Sequence, residues 1–290
     1  MPDKQEKQYQ IVPLPKMRRA LAITYPAVLR QPMIHGLVEV DVTRARAFLR
    51  DHKARTGESL SFTAFIITCL AHAIDENKAM HACRQGSRKL VLFDEVDVAT
   101  AIERTVAGVK QPTISIIRAS NKKSFRAIHQ EIRAAQVEAV DQTWQGLKDF
   151  GFLPLAAFRL LWPLFWWLRG RSPQVQKRYG GTVGVSAVGM FGKGAGWAIP
   201  LAYHTLDLTL GGIVEKPAVI DGQIAIREYL CVTLSLNHAL IDGAPAARFS
   251  ARLKELIESG YGLCDHEADL ADADLAHSGA YLGKLPLHKR

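Results

Sequence analysis

The residues with the clearest chemical potential are His238 and Asp242, in Leu234-Ser235-Leu236-Asn237-His238-Ala239-Leu240-Ile241-Asp242-Gly243. A strand-like run precedes them and an amphipathic helical pattern follows, so His238 stands where a strand gives way to a helix. A strand end holds its side chains on a rigid scaffold. An imidazole, with an ordinary pKa of about 6.5, suits proton removal near neutral pH. Taken alone, a histidine beside a turn is more often a satisfied structural group. A metal site built from His238, Asp242, His204 and Asp207 lacks the third nearby ligand, and the helical His pair at i and i+4, of hydrolytic metal motifs. No metal is therefore expected.

The elements that must position this segment read as follows. Ile34 to Val42 alternates as a strand, and Thr43 is an N-cap candidate for a helix ending at Gly57. Ser61 caps a second helix, whose stripe of Phe62, Phe65, Ile66, Cys69, Leu70 and Ala73 suits packing on a sheet. His72 falls off that stripe and His81 beyond the helix, both read as surface or satisfied histidines. Strands are expected at Val91 to Ile102, Thr113 to Ile117 and Thr182 to Val188, with a helix from Ser124 to Val140. Two β-rich runs between Gly211 and Leu236 flank Asp221-Gly222, a hairpin signal because both turn positions need positive φ. A last helix spans about Ala244 to Ser259, with Ala247, Leu253, Leu256 and Ile257 inward and Gly260 as its stop.

The 290 residues are 48% hydrophobic and 22% charged, which excludes disorder as the main state and allows a sizeable core. The net charge of +9 is scattered and not interleaved with aromatics, so no nucleic-acid partner is expected; a small anionic ligand or an anionic membrane explains it equally well. Cys69, Cys83, Cys231 and Cys264 lack paired spacing and read as free thiols. The polar start, MPDKQEKQYQ, has no apolar signal region, which predicts a cytoplasmic protein. Strands and helices in irregular order favour a single α+β domain.

His-x-x-x-Asp-Gly followed by Ala-Pro-Ala-Ala-Arg-Phe resembles the catalytic domain of the dihydrolipoamide acyltransferases of 2-oxo-acid dehydrogenase complexes. Chloramphenicol acetyltransferase shares their motif and fold. Met17 to Ala22 is similar to the family's opening helix, and Val38 to Thr43 to its first strand and turn. Ile116 to Ala119 with Lys123-Ser124 resembles its central strand and helix. Gly181 to Gly192, Gly-Thr-Val-Gly-Val-Ser-Ala-Val-Gly-Met-Phe-Gly, resembles its second active-site strand. The resemblance spans about residues 11 to 260, without an apolar insert. It implies an α+β, chloramphenicol acetyltransferase-like mixed-sheet sandwich with helices. The expected layout is a polar extension over 1–10, a catalytic domain over 11–263 with an insert at about 150–178, and a peripheral tail over 264–290.

The resemblance implies that His238 is the general base for a thiol and Ser186 the donor to the tetrahedral oxyanion, a role worth about 3 kcal/mol of barrier. It gives Asp242 the task of fixing the active-site loop by pairing with Arg18, and Gly243 that of a sharp turn into the last helix. The substrates would be an acyl-CoA and a dihydrolipoyl-like thiol or another nucleophilic acceptor, with no permanently bound cofactor. The family's site lies between subunits of a homotrimer, His238 from one chain and Ser186 from its neighbour. Two departures stand out. Ala239 replaces the usual arginine, which opens the acceptor question, and only about ten residues precede the core, so a lipoyl carrier protein would act in trans. A non-catalytic scaffold on the same fold is the alternative.

Phe150 to Leu168 stands outside the resemblance. It holds three of the five tryptophans, Trp162, Trp166 and Trp167, and is followed by Arg169, Arg171, Lys177 and Arg178. Arg159, Pro154 and Pro163 argue against a spanning helix, which needs about 20 apolar residues. Packing against the core or a subunit, and peripheral docking on anionic lipid, both fit.

Overall fold

The computed structural model of the chain describes residues 12–14, 18, 22, 29–106, 109–137, 172–189, 192 and 194–263. The Phe150 to Leu168 insert, most of the opening helix, Cys264 and the tail lie outside these residues. Eight strands and five α-helices are described: β1 (Met33–Asp41), α1 (Thr43–Thr56), α2 (Phe62–Glu76), β2 (Cys83–Gln85), β3 (Lys89–Val91), β4 (Val98–Val106) and β5 (Val109–Ile117), then α3 (Phe125–Val137), α4 (Pro173–Gly180), β6 (Val183–Ala187), β7 (Leu206–Ile220), β8 (Gln223–Asn237) and α5 (Gly243–Ser259). A six-stranded mixed sheet runs β1-β8-β7-β6-β4-β5, and β2 pairs with β3 as a separate ribbon. β6 is parallel to both β4 and β7, and the remaining ladders are antiparallel.

Alternation of side chains divides this sheet into two unlike faces. Leu206, Leu208 and Leu210 of β7 with Leu230, Val232, Leu234 and Leu236 of β8 are buried in the core that holds the helices. α2 contributes most to it, with Phe65, Ile66, Ile67, Leu70 and Ile74 fully covered, and packs against α3 and α5. Ser61 accepts from Ala64 N at 3.2 Å, the expected cap, and Gly57 and Gly260 end their helices in the left-handed region. The Asp221-Gly222 turn has φ of 50° and 79°, as its sequence requires.

Three expectations change. The run Val91 to Ile102 is two strands, because Asp97 turns the chain inward: its carboxylate takes Arg118 at 2.8 Å and the Ala119 N–H at 2.9 Å. Thr43 begins α1 instead of capping it, its N–H held by Asp41 at 2.9 Å. On α5 the buried alanine is Ala246, and Ala247 faces outward. No helix among the described residues is long and apolar enough to cross a membrane.

His72 is half-exposed and stacked on Tyr261, whereas His81 is buried with both nitrogens engaged, to Thr182 Oγ1 at 3.0 Å and Phe93 O at 3.1 Å. Burial, with a smaller contribution from the charge of Lys177, pushes the His81 pKa down to about 4. A histidine depressed in the folded state contributes fully above the unfolded value of about 6.5 and loses its contribution as pH falls through the folded one. Urea unfolding should therefore show the native protein losing about 2–3 kcal/mol between pH about 7 and about 4.5 through this group. In His81→Gln that part of the pH dependence disappears; an identical dependence in the two proteins would assign the acid lability elsewhere.

Candidate active site

His238 follows the last residue of β8, and the chain there is pinned by bonds to distant segments. Asn237 N donates to Thr205 O at 2.9 Å and His238 N to Pro32 O at 2.8 Å. The Asn237 side chain does two further jobs: Oδ1 accepts the Ala239 N–H at 3.0 Å and Nδ2 donates to Gln31 Oε1 at 3.2 Å. Its carbonyl takes the N–H groups of Leu240 and Ile241, both at 3.0 Å. Backbone bonds to the residues just ahead of β1 and β7, with one amide side chain between them, thus hold the imidazole at the sheet's end. Its side chain is 47% exposed.

Asp242 lies with Oδ1 3.9 Å from His238 Nδ1, too long for a hydrogen bond, and its side chain is 86% exposed. Arg18 is helical and exposed, and among the described residues of the single chain no ion pair joins it to Asp242. Exposed pairs stabilise little, and in this chain the loop is held by Asn237 instead. Gly243 is also not a forced glycine. It opens α5 without positive φ, and a Cβ there would meet nothing within 4 Å.

Ser186 sits on β6, on the sheet face away from the helices. It aligns with Thr209 of β7, which aligns with Thr233 of β8. Three hydroxyls therefore form a row across adjacent strands, and those of Thr209 and Thr233 are buried with no hydrogen-bond partner among the described residues. The sequence hides this row because its members are 23 residues apart or more, and only the register aligns them. His238 is five positions beyond Thr233. Five residues at about 3.4 Å and two strand spacings at about 4.8 Å place Ser186 and His238 about 20 Å apart in one chain.

Ser186 borders a cleft of about 1150 Å³ among the described residues, between the sheet and the helix ends, also lined by Arg46, Ser61, Glu103, Arg133 and Glu228; His238 does not reach it. Inside the cleft Glu228 holds Arg46 and Arg50, both at 2.9 Å. The loop after Ser186 lies backbone on backbone against a bulge in β7, where a Cβ at Gly189, Gly211 or Gly212 would overlap main-chain oxygen. Gly212 N donates to Gly196 O at 2.9 Å across this seam.

His204 and Asp207, the other half of the conceivable metal set, are buried and bonded to each other, Nδ1 to Oδ1 at 2.6 Å, with His204 Nε2 on Gly180 O at 2.8 Å. Both ring nitrogens are used in packing β7 against the end of α4. Among the described residues no three His, Cys, Asp or Glu side chains gather in a way that could hold a metal. The described thiols, Cys69, Cys83 and Cys231, are buried and form no disulfide with one another, and burial pushes that of Cys69 up.

Asn237 is the positioning residue that the motif alone did not single out. Asn237→Asp keeps the acceptor for Ala239 but loses the donor to Gln31, so its effect should be milder than that of Asn237→Ala, which loses both. Each lost bond should cost about 1 kcal/mol in unfolding free energy. Equal stabilities of the native protein and Asn237→Ala, measured by urea titration, would remove it from this role.

Comparison with known proteins gives a consistent answer. The chain matches the 2-oxoacid dehydrogenases acyltransferase (catalytic domain) family over residues 6–146 and 168–263, leaving out most of the apolar insert. It is 24% identical over 254 residues to the lipoamide acyltransferase component of the branched-chain alpha-keto acid dehydrogenase complex of Bacillus subtilis, covering 86% of this chain and 52% of that protein. It is 26% identical over 259 residues to the dihydrolipoyllysine-residue succinyltransferase component of the 2-oxoglutarate dehydrogenase complex of Bartonella vinsonii subsp. berkhoffii, covering 88% and 55%. The chain thus spans about half the length of the curated relatives it matches. Its fold is shared with a probable dihydrolipoamide acetyltransferase from Listeria monocytogenes, at a TM-score of 0.64 and 24% identity over 88% of this chain and 96% of that one. It is shared too with the cubic core of a pyruvate dehydrogenase multienzyme complex, at 0.64 and 20% over 91% and 98%. With matched segments covering most of its length and the strand-end histidine within them, the chain belongs to the 2-oxoacid dehydrogenase acyltransferase family through its catalytic domain.

Proposed function

We propose that this chain transfers an acyl group between coenzyme A and a thiol of the dihydrolipoyl type, or another nucleophilic acceptor, at sites each shared by two copies of a homotrimer. The observation that carries this reading is the register, which sets Ser186 inside the sheet in line with Thr209 and Thr233 while His238 lies beyond the end of β8; ideal strand spacings put the two about 20 Å apart, which leaves each chain with two half-sites. A cyclic assembly supplies the missing half of each. Membership of the family supports the chemistry, and the exposed His238 supports the role of base.

In the forward step His238 Nε2 takes the proton of the acceptor thiol, and the sulfur attacks the thioester carbonyl. The π electrons move to oxygen, where the Ser186 hydroxyl of the neighbouring copy donates a hydrogen bond. Collapse breaks the bond to the departing sulfur, which recovers the proton from the His238 imidazolium. Atoms and charge balance with no change of oxidation state. Arg18 stands apart from this step. The lipoyl group would arrive on a separate carrier protein, and a cytoplasmic location, with peripheral membrane contact through 150–178, belongs to the same proposal.

His238→Ala and Ser186→Ala should each lower kcat by at least about 100-fold with the fold intact, by circular dichroism. When the two variants are dissociated, mixed in equal amounts and reassembled, sites pairing an intact His238 with an intact Ser186 should restore about a quarter of native activity. No recovery from reassembled oligomers would place both residues in one chain's site. An inactive native protein with short acyl-CoAs and free dihydrolipoamide would favour the scaffold reading.

A further inference from the structure

The chain that leads from Ser186 back to the support of His238 carries a pattern that acyl transfer does not explain. It passes β7, where Gly196 O accepts the Gly212 N–H at 2.9 Å, and reaches β1, where the Trp197 indole donates to Val38 O at 3.1 Å. It ends at Thr205, whose carbonyl takes the Asn237 N–H at 2.9 Å. Between these points Trp197-Ala198-Ile199-Pro200-Leu201-Ala202 alternates the reverse of what a lone domain requires. Trp197, Ile199 and Leu201 are exposed, the last two by 62% and 53%, while the smaller Ala198 and Pro200 are half-buried and Ala202 is buried. Leu37, next to Val38, is exposed on the sheet face that carries Thr233 and Ser186. Large apolar side chains standing outside small ones form a stripe of the kind that another surface covers.

A second bare apolar surface lies at the tip of the β7–β8 hairpin. The ladder with β6 ends at Leu210 and the ladder with β1 at Tyr229, so residues 213–228 form a two-stranded arm with both edges open. Its root is tied to β1, Lys216 to Glu39 and Arg227 to Asp41 at 2.7 Å. Further out Val219 pairs with Ile224 and Pro217 with Ile226, which sets all four on one face. Val219, Ile224 and Ile226 are 73%, 80% and 72% exposed. A ribbon of two strands is marginally stable by itself and needs something to pack against. The stripe of its own chain is out of reach: Val38 pairs with Val232, and Ile226 stands six positions along β8 from there, about 20 Å away.

The partner follows from the shared site proposed above, on which this inference rests. A copy that brings its His238 to Ser186 comes up against the chain that runs from one half-site to the other, and the stripe lies on that chain. Like patches meeting about a twofold axis close as a dimer, whereas a threefold ring needs two different patches on every copy. The stripe and the arm are two different patches, one lying on the sheet and one projecting from it.

We infer that Trp197, Ile199 and Leu201, with Leu37, are the seat for the β7–β8 arm of a neighbouring copy, and that this head-to-tail contact closes the ring in which each site is assembled.

The full chain carrying Ile199→Cys and Ile224→Cys, treated with a short flexible bismaleimide, should give dimers and trimers on a denaturing gel, and either single variant neither. Dimers from Ile199→Cys alone would show stripe against stripe, and no product from the double variant would place the arm elsewhere; each overturns the inference. Ile199→Glu/Leu201→Glu and Ile224→Glu/Ile226→Glu should each turn the oligomer into a folded monomer at micromolar concentration, by analytical ultracentrifugation and circular dichroism, with acyl transfer lost. Mixed in equal amounts, the two should form dimers and recover part of the activity, because one intact stripe then meets one intact arm. If either fails to fold, the cross-linking decides. Oligomers that persist in both overturn the contact and leave the shared site standing, since complementation between His238→Ala and Ser186→Ala reads that site separately. A native chain that is monomeric and active overturns both.

Discussion

The ladder between β7 and β8 is the constraint on which the rest of the molecule depends. It runs from Leu206 opposite Leu236 to Ile220 opposite Gln223, with one irregularity at Gly211 and Gly212. A slip of a single residue would turn the leucines that meet the helices toward the other face and bring the row of hydroxyls into the core. The same register decides how far the imidazole at the end of β8 stands from the serine on β6. Core formation and site geometry are therefore one choice of pairing. The bulge belongs to it too, since it lets the ladder resume beyond the point where the loop after Ser186 crosses.

What could be read from the chain divides along the distance over which each cause acts. The cap at Ser61, the left-handed stops at Gly57 and Gly260 and the turn at Asp221-Gly222 are decided within a few residues, so they were visible. The break between β3 and β4 was not, because it follows from a buried carboxylate answering Arg118, 21 positions away. Ala246 and Ala247 could not be told apart on size or polarity, and packing chose between them.

At the site, the motif exposed His238 but not what holds it. Gln31, Pro32 and Thr205 reach Asn237 and His238 only after β1 and β7 have flanked β8. At Asp242 and Gly243 the resemblance assigned a salt link to Arg18 and a sharp turn; among the described residues Asp242 lies nearest His238, and Gly243 has no positive φ. Similar sequence marked where the strand-end histidine stands. It did not mark the bonds that support it, because those come from segments far away along the chain.

The glycine seam between the loop after Ser186 and β7 has a consequence for how this chain can change over generations. Any replacement of glycine adds at least one carbon, and at Gly189, Gly211 and Gly212 that carbon falls on main-chain oxygen. A helix surface can be rewritten one residue at a time because a clash there is relieved by a side chain moving into solvent. Two backbones in contact have no such outlet, and a replacement on either side must be met by displacement of the whole loop. Drift can therefore travel freely over α1 while this seam stays closed to it, and descendants that have lost most other likeness to this sequence should still be readable at these three positions.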